Sequence, residues 1–211
     1  MREEVLAAAK EMHQMNLVEG TAGNVSARMP DGSICITPSS VSYEAMTLDD
    51  LVLVDLDGQK LDGERSPSSE KSLHLACYKA FDDVHAVIHS HPVYATMFAI
   101  THQPIPACID EVTIYVGGDV PVADYGASGT DELGDNVVAK LTGLSAVLMA
   151  NHGLVTVGAN PHKALHVAAL VNRTAQIVWG ARLLGQEQSL PADVNQGFKD
   201  IYAFLRQHPE F

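Results

Sequence analysis

Two Asp-Gly pairs, each between short segments of alternating apolar residues, constrain the fold of this chain more than any other feature. Asp31-Gly32 separates TAGNVSARM from SICIT, and Asp57-Gly58 separates LVLVDL from QKLDG. Asp-Gly pairs favour the two-residue turns that join antiparallel strands. The first part of the chain therefore predicts two β-hairpins and, with them, a largely antiparallel sheet.

Helical patterns surround these hairpins. Apolar residues recur at helical spacing over residues 2–18, and a second helix is expected after Pro67, with Ser68 or Ser69 as its N-cap. The other predicted helices run through YATMFAI after Pro92, over 129–141 with a start near Thr130, from Pro161 to about Leu184 with Asn160 as the cap, and through VNQGFKDIYAFLRQ. The other predicted strands lie at 85–91, within the strand-and-loop region 104–125, in SAVLMA and in LVTVG. We expect one α/β (α+β) domain over residues 1–211, with a mainly antiparallel central sheet flanked by helices.

Charge and cysteine content limit the classes of binding partner and the cellular compartment that suit this chain. Twenty-six acidic residues against thirteen basic ones give a formal net charge of −13, so nucleic acid and anionic membrane are poor partners. The three cysteines, Cys35, Cys77 and Cys108, are widely spaced and suggest neither a disulfide framework nor a cysteine zinc site. The N-terminal residues lack the apolar core of a secretory signal. These features favour a cytoplasmic protein.

Three histidines form the strongest candidate for a metal site. His89 and His91 are two residues apart in a predicted strand, so both imidazoles project from the same face. His152 lies in the turn Asn151-His152-Gly153 between two apolar strands. Three histidine ligands and an open position are typical of catalytic zinc, which can polarise a substrate oxygen. His162 and His166, four apart on a helix without a third ligand, are interpreted as a surface or packing pair.

Glu70 lies in the first turn of the helix that follows Ser68 and Ser69. A carboxylate there interacts favourably with the helix dipole, which is a sufficient structural explanation. Beside a metal, however, a carboxylate in a dry pocket is easily tuned to act as a general acid or base. His74, one turn on, could orient Glu70, but we favour a core-facing histidine at that position.

Three short polar loops supply hydroxyl groups and backbone N–H groups. They are Thr21-Ala22-Gly23-Asn24, Thr37-Pro38-Ser39-Ser40 and Ser66-Pro67-Ser68-Ser69. Individually each is an ordinary turn or cap. If they converge, they form an anion nest that holds phosphate without lysine or arginine.

In the same order, these residues resemble the class II sugar-phosphate aldolase and 4-epimerase family, which also includes the adducin head. The resemblance is strongest to its bacterial branch that acts on L-fuculose 1-phosphate. The motifs that carry it are GTAGNVSAR at 20–28, ITPSS at 36–40, PSSE at 67–70, HSHPVYAT at 89–96 and NHG at 151–153. They span about 135 residues, and the resemblance implies the three-layer fold of that family for essentially the whole chain.

The resemblance also implies roles for individual residues. His89, His91 and His152 would bind one Zn²⁺ per subunit, with Mn²⁺ or Co²⁺ as alternatives. Glu70 would be the acid/base and would ligate the metal when substrate is absent. The substrate phosphate would be held by Gly23, Asn24, Ser39, Ser40, Ser68 and Ser69. Family members are homotetramers whose active site is completed by a neighbour's C-terminal tyrosine, for which Tyr202 is the candidate.

The implied reaction is reversible retro-aldol cleavage of a ketose 1-phosphate, such as L-fuculose 1-phosphate, to dihydroxyacetone phosphate and a short aldehyde such as L-lactaldehyde. A pentulose-5-phosphate 4-epimerase, a methylthioribulose-phosphate dehydratase and a sugar-acid phosphate decarboxylase are alternatives within the family. An adducin-like binding module is disfavoured because the three histidines and Glu70 are present. Fuculose-specific relatives carry a tyrosine soon after the IPA motif, where this chain has Asp110 and Glu111. Either Tyr115 replaces that phenol, or the two acids face a different aldehyde.

Overall fold

The computed structural model of this chain describes residues 1–208 and Glu210. Its strands are β1 Asn24–Arg28, β2 Ile34–Ile36, β3 Val52–Val54, β4 Lys60–Asp62, β5 Ala86–Ser90, β6 Val122–Ala123, β7 Ala146–Met149 and β8 Gly153–Gly158. Within the described residues they form one sheet in the order β4-β3-β2-β1-β5-β8-β7-β6. Every neighbouring pair is antiparallel except β6 with β7. The expected α/β class and mainly antiparallel sheet are confirmed.

Helices cover both faces of the sheet and give a three-layer fold. They are α1 Arg2–Gln14, α2 Lys71–Ala80, α3 Val93–Ile100, α4 Asp110–Val116, α5 Asp131–Leu141, α6 Pro161–Leu184 and α7 Ala192–Gln207. The α2 and α5 helices pack on one face, and α1, α3, α4 and α6 pack on the other, where α7 contacts α4. Among the helices of the described residues, none combines the length and apolarity needed to cross a bilayer.

Strand alternation divides the side chains of β1 and β5 between the two cores. Val25 and Ile88 point into the core under α1 and α6, whereas Val87 points to the α2 side. Asn24 and His89 are cross-strand partners in the β1–β5 pair. Because side chains alternate with period two, His89 lies on the α2 face with Val87. This places the polar end of β5 against the start of α2.

Most predicted helix boundaries are confirmed. Thr130 and Asn160 cap α5 and α6, accepting hydrogen bonds from the backbone N–H groups of Leu133 (3.4 Å) and Lys163 (2.8 Å). The α6 helix runs over the expected residues, from Pro161 to Leu184, before Gly185. Strong start and stop residues thus fix helix ends from local sequence alone.

The expectation for α2 was wrong in one respect and that for α1 in another. The helix begins at Lys71, so Glu70, not Ser68 or Ser69, occupies the N-cap position of α2, and the Ser68 hydroxyl accepts from the Glu70 backbone N–H at 3.2 Å in the turn before the helix. The α1 helix ends at Gln14 rather than near residue 18. The chain leaves the helix there because Asn16 adopts a left-handed conformation with φ 55°.

The region 104–125 was predicted as strand and loop, but it contains helix α4, Asp110–Val116. Two acidic residues begin this helix, and Gly117 ends it in the left-handed conformation with φ 97°. Val112 and Val116, four residues apart, are both fully buried. A seven-residue helix presents too short a periodic pattern to be distinguished from a strand in sequence.

Candidate active site

Three imidazole rings converge where β5 ends and the β7–β8 turn begins. The ligand nitrogens of His89, His91 and His152 all lie within 4.8 Å of one another. Nε2 of His91 is 2.8 Å from Nε2 of His89, and the ring of His152 is 4.7 Å from that of His89, centroid to centroid. The predicted gathering of these side chains is what the structure shows. We refer to the three residues as the histidine triad.

The backbone around the turn allows this close approach. A β-carbon at Gly153 would lie 2.5 Å from the carbonyl oxygen of Ser90 and 2.8 Å from Cδ2 of His91. Only glycine leaves room for the two rings there. The preceding residue, Asn151, has φ 56°, a left-handed conformation that asparagine tolerates well. The motif NHG therefore has a steric basis at both flanks of His152.

The ring of His89 is oriented by the neighbouring strand. Its Nδ1 lies 3.1 Å from the carbonyl oxygen of Leu154, to which it donates. A hydrogen bond of this kind fixes the tautomer of a metal-binding histidine and leaves Nε2 free for a ligand. In β5 and the residue that follows it, His89 is fully buried, and His91 is half-buried.

Glu70 faces the histidine triad from the start of α2. Its Oε2 is 3.1 Å from Nε2 of His89, and its Oε1 is 3.4 Å from Nε2 of His152. The Asn24 side-chain amide donates to Oε2 at 3.1 Å, and the Ser128 hydroxyl donates to Oε1. Both carboxylate oxygens are therefore held by hydrogen bonds from elements far apart in sequence.

The environment of Glu70 favours its ionised form. Burial disfavours the charged carboxylate, but the hydrogen bond and charge of His89, the Ser128 hydroxyl and His152 together hold the pKa of Glu70 well below its usual range. This direction is opposite to the upward shift that a dry pocket alone would produce. Burial, followed by the charges of His89 and His152, lowers the pKa of His91 to about 4. Burial also lowers the pKa of His152.

Behind Glu70, polar side chains of β1 and α2 alternate in a buried row, which we call the polar ladder: Glu70, Asn24, His74, Ser26 and Tyr78. Nε2 of His74 contacts Oδ1 of Asn24, and Nδ1 of His74 is 2.6 Å from the Ser26 hydroxyl. The Ser26 hydroxyl is also 2.8 Å from the Tyr78 hydroxyl. His74 is fully buried, as expected for a core-facing histidine, yet two hydrogen bonds connect it to Glu70.

The three polar loops lie side by side in the structure. Thr37 pairs with Val25 through its backbone N–H and its hydroxyl, at 3.0 and 3.1 Å, which joins the second loop to the first. The backbone N–H of Ser39 donates to the Ser66 carbonyl, and that of Ser68 donates to the Thr37 carbonyl, at 3.0 and 3.1 Å. The loops therefore meet where β1 begins and β2 ends, next to Glu70.

Their predicted phosphate contacts differ in accessibility. Ser39, Ser40 and Ser69 are exposed, and the hydroxyls of Ser39 and Ser40 are 3.4 Å apart. Asn24 and Ser68 are buried, and the side-chain amide of Asn24 already bonds to both neighbours in the polar ladder. Any contact of Asn24 with an anion therefore involves its backbone. The hydroxyls of the three exposed serines, by contrast, are accessible to a ligand.

Gly23 is required by the packing of the first loop. It has φ 76°, and a β-carbon there would lie 2.5 Å from Cγ1 of Val18 and 2.8 Å from the carbonyl oxygen of His89. The Tyr43 hydroxyl donates to the carbonyl oxygens of Ala22 and Gly23, at 2.9 and 2.7 Å. The sequence did not single out this buried tyrosine, whose two hydrogen bonds hold the loop in place.

Four predicted site residues lie away from the histidine triad within this subunit. The side chain of Tyr202 is buried with its ring beside Gly117 at the end of α4, and its hydroxyl bonds to Ser145 (2.9 Å) and to Arg206 (2.8 Å). Asp110, Glu111 and Tyr115 are exposed on α4, where the Tyr115 ring stacks edge-on against His166 at 4.9 Å. The structure does not bring these four residues to Glu70 in the single chain.

Sequence reasoning missed Ser128, which contacts Glu70 directly. It belongs to the loop between β6 and α5. The next residue, Gly129, has φ 80°, and a β-carbon on it would lie only 2.9 Å from the Ser69 carbonyl oxygen, which is too close. This loop is therefore seated on the PSSE segment. The sequence around Ser128 resembles an ordinary helix start, and no periodic signal distinguishes its serine.

The donor set fits a divalent metal ion. Zinc bound tetrahedrally at about 2.0–2.1 Å from each nitrogen places its ligand nitrogens about 3.3 Å apart, within the spread of the histidine triad. With Nδ1 of His89 turned to the Leu154 carbonyl oxygen, Nε2 faces the carboxylate of Glu70 at 3.1 Å. Two acceptors at this distance repel each other unless a proton or a cation lies between them. Three imidazoles with an adjacent carboxylate suit Zn²⁺, Mn²⁺ or Co²⁺.

Known proteins resemble this chain over most of its length. Residues 3–179 match the family model described as Class II Aldolase and Adducin N-terminal domain. A 5-deoxy-D-ribulose 1-phosphate aldolase of Bacillus thuringiensis serovar kurstaki is 35% identical over 193 residues, which are 91% of this chain and 90% of that protein. An L-fuculose phosphate aldolase of Escherichia coli O6:H1 is 38% identical over 174 residues, 82% of this chain and 80% of that protein.

The fold gives an independent match. The solved structure of an L-fuculose 1-phosphate aldolase superposes with a TM-score of 0.91, at 33% identity and with 96% of both chains covered. The family match at 3–179 includes the histidine triad, Glu70 and the three polar loops, whereas Tyr202 lies beyond it.

Proposed function

This chain belongs to the class II aldolase and adducin family, whose aldolases are metal-dependent lyases, and on that premise we propose that it cleaves a ketose 1-phosphate reversibly. Breaking the C3–C4 bond gives dihydroxyacetone phosphate from C1–C3 and an aldehyde from the remaining carbons. L-Fuculose 1-phosphate would yield L-lactaldehyde, and a 5-deoxypentulose 1-phosphate would yield acetaldehyde. The observation that carries this proposal is the histidine triad with Glu70 facing it.

We assign the histidine triad as the metal site, with Zn²⁺ as the resident ion, one per subunit. Such an ion supplies Lewis-acid stabilisation of the negative charge that develops on substrate oxygens when the carbon–carbon bond breaks. No lysine Schiff base is then required. The residues of the chain contribute orientation: Leu154 fixes His89, and Gly153 lets His152 approach His91.

Glu70 is proposed as the acid/base. Held as a carboxylate, it can remove a proton from C3 of dihydroxyacetone phosphate in the synthetic direction and return it to C3 in cleavage. The hydroxyl of Ser128 can donate to the carboxylate or accept from the carboxylic acid, so its contact with Oε1 suits both states. Glu70 also lies close enough to the triad to serve as a metal ligand when no substrate is bound.

The three polar loops are proposed to hold the phosphate. The exposed hydroxyls of Ser39, Ser40 and Ser69, the glycine backbone at Gly23 and the turn at Ser68 surround one edge of the site. They provide neutral donors, which suits a protein with a net charge of −13. Fixing the phosphate orients C3 and C4 before the reaction begins.

We propose a cytoplasmic homotetramer whose active sites lie between subunits. The thiols of Cys35, Cys77 and Cys108 are unpaired, which fits a reducing compartment. A role for Tyr202 at a neighbour's site requires that its hydroxyl leave Ser145 and Arg206. Asp110, Glu111 and Tyr115, exposed on α4, are proposed as positions that influence the choice of aldehyde.

Product analysis tests this function and separates it from its rivals. Incubation with L-fuculose 1-phosphate and with 5-deoxyribulose 1-phosphate should release dihydroxyacetone phosphate, detected by a coupled reduction. An isomer of unchanged mass would instead indicate a pentulose-phosphate 4-epimerase, and loss of water or CO₂ would indicate the dehydratase or the decarboxylase. Absence of any turnover with metal-loaded protein would favour an adducin-like module.

Two variants and a control test the assigned roles. Glu70→Gln should keep near-stoichiometric zinc while kcat falls by at least about 100-fold, the lower end of the range for a lost acid/base. His152→Ala should lose zinc, measured by elemental analysis. His162→Ala, which removes a histidine outside the triad, should retain both metal and activity.

A further inference from the structure

In the polar ladder, the spacing of the polar side chains along β1 matches their spacing along α2. Asn24 and Ser26 are two residues apart on one face of β1, and Glu70, His74 and Tyr78 follow each other at intervals of four. Two residues of strand advance about 6.6 Å and four residues of helix about 6 Å, so the two spacings match. Each strand side chain therefore fits between two helix side chains.

Arg28 continues the pattern at the far end. Its guanidinium donates to the carbonyl oxygen of Tyr78 at 2.8 Å and lies 5.1 Å from the centre of the Tyr78 ring. The row thus ends at a charged group on each side, Glu70 at the histidine triad and Arg28 at the opposite end of β1. Between them Ser26 and His74 are fully buried, and Asn24 and Tyr78 nearly so.

The direction of every hydrogen bond in the ladder follows from the charge of Glu70. An ionised carboxylate only accepts, so Asn24 must present its amide N–H to Oε2. Oδ1 of Asn24 then faces Nε2 of His74, which must carry the proton. Nδ1 of His74 is left as an acceptor and receives the Ser26 hydroxyl, whose oxygen in turn accepts from Tyr78.

We propose that His74 is a positioning residue for Glu70. Its Nε2–H holds the carboxamide of Asn24 in one orientation, and that carboxamide holds Oε2 of Glu70 toward the triad. Ser26 and Tyr78 fix the tautomer of His74 from behind. This inference rests on the proposed function, because it assigns Glu70 the acid/base role that the ladder serves.

Burial keeps the ladder in this state. Desolvation, followed by the charge of His89, lowers the pKa of His74 to about 3, so a second proton on the ring is strongly disfavoured. An asparagine with the opposite amide orientation would place its oxygen against the carboxylate. The His74 donor is the second contact that opposes this flip, and its loss would leave the amide held at one end only.

Nuclear magnetic resonance of the unaltered protein tests the arrangement without substrate. In ¹⁵N-histidine-labelled protein, His74 should show the Nε2–H tautomer throughout the range from roughly pH 5 to pH 8. The side-chain amide of Asn24 should exchange slowly with solvent. A proton on Nδ1, or a doubly protonated ring, would overturn the proposal.

Variants of His74 test its consequence. His74→Leu should lower kcat for the ketose 1-phosphate about 10- to 100-fold, with KM changed less than about threefold, as for other residues that orient a site residue. His74→Gln should recover most of kcat, because its side-chain amide places an N–H where Nε2–H was. Slow exchange of the Asn24 amide should be lost in the first variant and kept in the second.

Matched controls keep the result interpretable. Cys77→Ala removes a fully buried group of the same helix that is outside the ladder, and it should leave kcat unchanged. Ser26→Ala, a smaller change, should lower kcat by about three- to tenfold and serves if His74→Leu does not fold. Equal losses in His74→Gln and His74→Leu, or an unchanged kcat in Ser26→Ala, would contradict the positioning role. Failure of the unaltered protein to form dihydroxyacetone phosphate would instead refute the proposed function, while the resonance measurement still decides the hydrogen-bond arrangement.

Discussion

Gly153 lies so close to His91 that a β-carbon on the glycine would be 2.8 Å from Cδ2 of the ring, and 2.5 Å from the carbonyl oxygen of Ser90. The backbone oxygen cannot move without disturbing β5, so the histidine triad must give way. A single methyl group at this position therefore probes the geometry of the whole triad.

We expect Gly153→Ala to weaken zinc binding by about 10- to 100-fold and to destabilise the protein by about 1–3 kcal/mol, the usual cost of forced overpacking. Competitive chelator titration measures the first effect, and denaturant unfolding of metal-free protein measures the second. Gly180→Ala is the control, because nothing lies within 4 Å of a β-carbon there and alanine favours a helix. Equal metal affinity in both variants would contradict the steric account.

Ser128→Ala should slow turnover without affecting the fold. The serine is exposed, but its hydroxyl bonds Oε1 of Glu70 and is one of the contacts that lower the pKa of that carboxyl. Its removal should raise the pKa of Glu70. As the pH is lowered, the variant should therefore lose activity at a higher pH than the unaltered protein does. We expect kcat at neutral pH to fall about tenfold, the cost of one hydrogen bond to a charged group. Steady-state kinetics as a function of pH provide the test, and Ser189→Ala, at another exposed serine, is the control. Identical pH profiles for Ser128→Ala and the unaltered protein would contradict an effect of the Ser128 hydroxyl on the pKa of Glu70.

Ser39→Ala should weaken substrate binding rather than chemistry. Its exposed hydroxyl, 3.4 Å from that of Ser40, lies on a loop that we assign to the phosphate. Loss of a hydrogen bond to a charged group corresponds to about 1.5–3 kcal/mol, or roughly 10- to 150-fold in KM. Inhibition by inorganic phosphate should weaken in parallel. An unchanged KM and phosphate inhibition constant would place the anion elsewhere.

The ion pair of Asp83 with Arg206 should give a pH-dependent contribution to the docking of α7. The hydrogen bond from Arg206 is the main cause that lowers the pKa of Asp83 below 3.8, and burial opposes it. Because the folded-state pKa is lowered, the stabilisation is present above pH 4 and disappears as the pH falls through the folded-state pKa.

Asp83→Asn should therefore cost about 0.5–1 kcal/mol near pH 7, the range for a partly exposed pair, and salt should reduce the difference. The two proteins should converge in stability at acidic pH. Urea unfolding at several pH values measures this trend. A difference that grows on acidification would show that the stability gap has another source.

The sequence determined the local features of this protein. Asp-Gly pairs predicted the β1–β2 and β3–β4 hairpins, Thr130 and Asn160 predicted helix starts, and the two-residue spacing of His89 and His91 placed both rings on one face. Each of these depends on residues that are neighbours along the chain, so periodicity and turn chemistry were enough. Residue type and position suggested His152 and Glu70 as partners of these two histidines, and the family motifs then implied the same set.

Tertiary structure decided which of these local features meet. Ser128 reaches Glu70 only because its loop is seated on the PSSE segment, and His74 reaches it only because β1 runs beside α2 in matching register. The short helix α4 and the burial of Tyr202 likewise depend on packing between distant elements. Pairing between strands and helices is set by burial of the whole chain, and no pattern within one segment encodes its partner.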